Sequence, residues 1–135
     1  MNIDLTDKEF RRLLDMVYIG NWILNSTRGD DRFEDYDIVQ EKLFTLCGKN
    51  GMKSLIQNWH GHIFPSTAYE EGGIHEAIAD YEDAVFFDIL AEELARLDLG
   101  YAPEEMGDIS AIANRMEDYL NEFDRNGLTN VKVDM

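Results

Sequence analysis

The chain has 135 residues, of which 44% are hydrophobic and 15 are aromatic, and it carries 28 acids against 12 bases for a net charge of −16. A chain of this length buries roughly two-thirds of its unfolded surface, so it needs no metal or disulfide to fold, and this apolar content excludes an acidic disordered tail. The lone Cys47 rules out an internal disulfide, and no apolar run approaches the ~20 residues of a membrane span.

The polar, acidic start MNIDLTDKEF lacks the basic and apolar blocks of a signal peptide. With the single thiol, it sets the expectation of a cytoplasmic protein without membrane association. Thr6-Asp7-Lys8-Glu9 is a capping box. Phe10, Leu13, Leu14, Val17 and Leu24 then recur at helical spacing. Gly20 beside this stripe suggests close approach of another helix. The helix should fade between Ser26 and Gly29, where an acidic connection, Asp30 to Asp37, begins soon after. That connection is no EF-hand: counted from Asp30, Asp35 takes the sixth position, where glycine is required. Its acids are expected to favour the start of a second helix.

The second helix is expected to bury Ile38, Val39, Leu43 and Leu46, with Gly48 or Gly51 past its end. Residues 52–59 predict a short third helix, after which Gly61 and Pro65 interrupt regular structure. A long fourth helix runs from about Gly73 to Leu99 and is capped by Gly100. It carries two apolar stripes, Ile74-Ile78-Tyr81-Val85-Ile89 and Phe86-Leu90-Leu94-Leu97, which predict burial on more than one side. The fifth helix starts at an Asp108 cap, places Ile109, Ile112, Met116, Tyr119, Leu120 and Phe123 on one face, and ends at Gly127 with Leu128 folding back. The tail alternates Val131 and Val133 with polar residues. The fold class is therefore mainly α: a compact single-domain bundle of four or five helices over residues 1–135, with a short extended or β-like C-terminal tail.

Charge is unevenly placed. Residues 1–53 hold 10 acids and 8 bases, whereas residues 54–135 hold 18 acids and 4 bases. Between Lys53 and Arg96 there are nine acids and no base, and Glu76, Asp80 and Asp83 fall on one helical face. Like charges one turn apart repel by a few tenths of a kcal/mol. A solvated face that keeps the protein soluble accounts for them. A surface for a basic protein partner accounts for them too, because a single-sign field speeds encounter and rejects acidic competitors. Direct nucleic-acid binding is disfavoured, since the densest basic group is only Lys8, Arg11 and Arg12.

All three histidines, His60, His62 and His75, lie in one short stretch. Three imidazoles and a nearby glutamate match the donor set of a zinc or nickel site. The stretch carries no His-Glu-x-x-His or zinc-finger spacing, and capping or backbone hydrogen bonding explains such histidines equally well. Cys47, near a helix C-terminus, reads as a small core residue. Glu92 and Arg96 are spaced for an ion pair. The expectation is a non-enzymatic interaction module of inhibitor, immunity or adaptor type, with no cofactor, binding a basic partner through Glu76, Asp80 and Asp83. The alternative is a metal-binding protein or metal-dependent enzyme using His60, His62 and His75. Extra apolar residues on the first helix, Met16, Ile19 and Ile23, add a homodimer as a secondary expectation.

Overall fold

The computed structural model describes residues 1–135. In chain order it forms α1 (Asp7–Asn25), α2 (Glu34–Thr45), β1 (Ile56–Trp59), β2 (His62–Pro65), a single turn α3 (Thr67–Tyr69), α4 (His75–Asp98) and α5 (Ile109–Asn126). The fold is mainly α, with four helices longer than one turn and one small antiparallel sheet. Its internal contacts gather into two units, Met1–Ile78 and Ala79–Met135, divided within α4.

In the first unit, the Thr6 hydroxyl accepts from the Glu9 amide and the Glu9 carboxylate accepts from the Thr6 amide, both at 3.1 Å, so the capping box forms. Helix α1 buries Phe10, Leu14 and Tyr18 at every fourth position, and the same face continues with Asn21 and Asn25. Nothing stands within 4 Å of where a Gly20 side chain would begin, so that glycine admits no neighbouring helix. In α2 the expected face is wrong. Phe44 is fully buried with Leu43 beside it, while Ile38, Val39 and Leu46 are exposed. The Phe44 ring has more area to hide than any of them, and moving the buried position by one residue turns a helix by about 100°.

No helix forms at residues 52–59. A 3₁₀ turn, Lys53–Leu55, leads directly into β1. The strands pair with Ile56 opposite Pro65, Gln57 opposite Phe64, Asn58 opposite Ile63 and Trp59 opposite His62. Because side chains alternate across a strand, Ile56, Ile63 and buried Pro65 take one face, and Ile56 and Ile63 pack on the core. The core itself comprises Phe10, Leu14, Tyr18, Phe44, Cys47, Tyr69, Ile74 and Ile78. Cys47 is fully buried, as expected, and burial raises its thiol pKa.

The α1–α2 connection is pinned from inside. Asn25, almost wholly buried, donates to the Phe33 carbonyl at 3.0 Å and to Asn21 Oδ1 at 2.6 Å, and accepts from the Phe33 amide at 2.8 Å. Asn21 in turn donates to Asp37 and Gln40 of α2. Asp37 also accepts two hydrogen bonds from the Arg32 guanidinium, whose contact is the main cause of its depressed carboxyl pKa.

The second unit is built on the C-terminal part of α4 and on α5. Ala91, Ala95, Ile112 and Phe123 are its buried residues, and Phe87 lies 5.5 Å from Phe123 between ring centroids. Arg115 of α5 reaches Asp98 of α4 at 2.7 Å, and the Tyr119 hydroxyl donates to the same carboxylate. Helix α4 is unbroken, as expected, but its two apolar stripes are only partly buried. Ile74, just before the helix, and Ile78 are buried as the first stripe predicts, and Val85, Leu90 and Leu94 are half-buried, whereas Tyr81, Phe86, Ile89 and Leu97 are exposed and Ala91 and Ala95, in neither stripe, are hidden. Gly100 ends it with φ 74°, and the Tyr101 amide closes back on the Arg96 carbonyl at 3.0 Å. Arg96 then donates to the Glu105 carbonyl at 2.7 Å, holding the connection to α5. There the Tyr101 hydroxyl accepts from the Asp108 amide, and its ring covers Gly107.

Asp108 caps α5 through the Ser110 and Ala111 amides. The expected fold-back after α5 does not form: Gly127 has φ 56° but ψ −132°, and Leu128 is exposed. The tail from Val131 is exposed and carries no strand. Two valines with no neighbouring strand to accept their backbone bonds do not make a sheet.

Candidate functional site

The three histidines go to three different tasks. His60 and Gly61 are the two residues between the strands, with φ 50° and 80°. Two positive φ values are what a type I′ hairpin turn requires, so His60 does here what asparagine does in an Asn-Gly turn. Its ring meets Trp59 edge-on at 4.1 Å. His62 is exposed, with Nδ1 3.2 Å from Glu41 Oε1. The same Glu41 carboxylate accepts from the Ile63 amide at 3.0 Å, and this bond, then His62, lowers its pKa. His75 sits in the first turn of α4, with Nε2 2.7 Å from the Tyr18 hydroxyl and its ring 4.8 Å from that of Trp22. The structure does not bring the imidazoles together, and no group of three or more His, Cys, Asp or Glu side chains is placed to hold a metal ion. The reason is the hairpin, which fixes residues 60 and 62 in a turn and a strand, away from the helix that holds His75.

Glu76, Asp80 and Asp83 are exposed on α4. Of the nine acids between Lys53 and Arg96, only Glu92 has an ion-pair partner, Arg96 at 3.1 Å. Asp88 is exposed. On the same helix, Phe86, Ile89 and Leu97 are exposed at 47%, 58% and 72%. With Glu82 and Glu93 they make one stripe at positions 82, 86, 89, 93 and 97, each three or four residues from the next.

Sequence reasoning missed a concave face on the first unit. The outward side of the hairpin carries Gln57, Trp59, His62 and Phe64. Trp59 and Phe64 are exposed, and their rings lie 6.3 Å apart. Beside them a hollow of about 430 Å³ is bounded by Tyr18, Gln40, Trp59, Phe64 and Glu70. A second, of about 450 Å³, lies between α2 and β2 and is lined by Arg32, Asp37, Glu41 and His62 among others. Tyr18 is fixed from several sides, by the His75 bond, by stacking on Trp22 and by an edge contact to Tyr69 at 5.3 Å between centroids. Burial, then the charge of Glu70, pushes its phenol up to about 12, so it stays neutral at physiological pH. The signal for this face was available: Gln57 to Trp59 and His62 to Phe64 flank a residue pair with glycine second, a hairpin pattern.

Comparison with protein-family models, with curated proteins and with solved structures yields no match for this chain. No helix is long and apolar enough to cross a membrane.

Proposed function

We propose that the protein is a non-enzymatic interaction module that binds a basic protein segment through the exposed surface of α4, with Glu76, Asp80 and Asp83 as its working carboxylates. The observation that carries this reading is a pair of adjacent exposed faces, one of carboxylates (Glu76, Asp80 and Asp83) and one that sets Glu82 and Glu93 among Phe86, Ile89 and Leu97. Carboxylates without ion-pair partners stand on the same helix as Phe86, Ile89 and Leu97, which are about half exposed or more. A face that serves only solubility needs the charges and not the large apolar groups. A partner helix with apolar residues at matching spacing and lysines or arginines flanking them satisfies both. Asp83 and Glu82 sit three and four positions before Phe86, where they meet cations flanking an apolar anchor.

The test is a titration of the protein with a labelled basic amphipathic helical peptide, followed by fluorescence anisotropy at 50 mM and 500 mM salt (of the order of the conditions over which screening acts). Binding should be lost at high salt and should fall with Glu76→Lys, Asp80→Lys and Asp83→Lys combined. Equal binding by the triple variant sinks the proposal. Light scattering on the same sample assigns the stripe to a second copy of the chain if the protein is a dimer whose dissociation follows Phe86→Asp.

A further inference from the structure

The hollow bounded by Tyr18, Trp59, Phe64 and Glu70 lies within the first unit and is independent of the α4 reading. Tyr18, Trp59 and Phe64 are among its lining residues, Tyr18 reaching it with little exposed surface, and Glu70 is its only charged lining residue. Glu70 has no ion-pair partner. Arg32 is held by Asp37 and lines the neighbouring hollows, not this one. Gln40 and Gln57 add amide groups that can orient a ligand but bring no charge.

We propose that this hollow binds an organic cation: an ammonium or guanidinium group on a short apolar stem. The faces of aromatic rings are negative and attract such groups, and the carboxylate adds a point charge of the right sign. An anion finds no donor cation here. A bare metal ion finds one carboxylate where it needs several oxygens. The hollow, about 430 Å³, is shallow and open to solvent, so it takes the cationic head of a ligand and leaves the rest outside. Tyr18 is already locked by His75, Trp22 and Tyr69, so little ordering is lost when a ligand arrives. The chain makes the same kind of contact internally, with Arg28 over Phe33 at 4.2 Å and Arg11 over Tyr69 at 4.7 Å.

The cation can come as a free quaternary ammonium compound or as a lysine or arginine side chain of a polypeptide, and the experiment separates these. The full chain is titrated with choline, with Nα-acetyl-lysine methylamide, with Nα-acetyl-arginine methylamide and with 3,3-dimethylbutan-1-ol, the neutral isostere of choline. Shifts of the Gln57 and Phe64 backbone amides are followed by NMR. Saturable shifts with choline, and not with the two amino-acid amides, assign the site to a free ammonium; the reverse assigns it to a side chain. Trp59→Leu should weaken binding about two- to fivefold, the range of an exposed cation–π contact, and Glu70→Gln by a similar factor that disappears at high salt. Both residues are exposed, so the variants should keep the parental urea midpoint. Equal shifts with the neutral alcohol, no saturable shift with any cation, or unchanged affinity in both variants each overturn the proposal.

Discussion

Replacing Asn25 with alanine should be among the most damaging single changes to the first unit. The side chain is 1% exposed and makes three hydrogen bonds: it donates to Asn21 and to the Phe33 carbonyl, and it accepts from the Phe33 amide. A net value of about 1 kcal/mol for each such bond gives about 3 kcal/mol for the set. The Asn25→Asp variant keeps the acceptor for the Phe33 amide but loses both donations, and it places a carboxylate among two acceptor oxygens. It should therefore destabilise at least as much as alanine despite its nearly identical shape. Urea denaturation followed by tryptophan fluorescence is the assay, because Trp22 and Trp59, the only two tryptophans, both lie in the first unit. With a slope on the order of 2 kcal/mol/M, the midpoint should fall by about 1.5 M. A loss under about 1 kcal/mol for both variants, at unchanged slope, would refute the assignment of this network as the pin of the α1–α2 connection.

Two glycines should respond in opposite ways. Gly20→Ala meets no atom within 4 Å and should stabilise α1 by about 0.5–1 kcal/mol, whereas Gly107→Ala, at φ 70° and with a side-chain position 2.7 Å from the Tyr101 ring, should destabilise the second unit by about 1–3 kcal/mol; thermal melts by circular dichroism read both. Asp37 has a folded pKa below its ordinary 3.8, chiefly through the Arg32 hydrogen bonds. Its stabilisation is present above the unfolded pKa and is lost as pH falls through the depressed folded value, so the urea midpoint should decline below about pH 4, and less steeply in Asp37→Asn. Cys47, fully buried with a raised thiol pKa, should resist Ellman's reagent in the native protein and react at once in 6 M guanidinium, on the order of the usual unfolding condition; rapid native labelling would contradict its place in the core.

Cap chemistry was the most legible layer of the sequence. The Thr6–Glu9 box, the Asp108 cap and the Gly100 terminus each depend on residues within one turn of each other, and each forms as read. The Glu92–Arg96 pair forms for the same reason. Two failures were local, the Gly127–Leu128 fold-back and the His60-Gly61 turn; the others depended on partners distant in sequence. Ile38, Val39 and Leu46 are as apolar as Phe44, and only the aromatic cluster around Tyr69 decides which of them is covered. On α4, buried Ala91 and Ala95 lack the bulk that draws the eye to Phe86 and Leu97, yet small residues admit a neighbouring helix and large ones can be left outside. The hairpin was missed because His60-Gly61 is an uncommon spelling of a turn usually written Asn-Gly. With it went the aromatic hollow, since Tyr18, Trp59 and Glu70 stand far apart along the chain.

Between α3 and α4 the chain kinks at Gly73, which takes φ 113° and ψ −12°, outside the helical region. The kink separates α3 from α4, and directly after it Ile74 and Ile78 enter the core while His75 meets Tyr18. Only glycine takes such a φ without strain. For the history of this chain, that makes identity the constraint at this one position. Related sequences should keep glycine at 73 while the letters at exposed Glu71 and Gly72 vary.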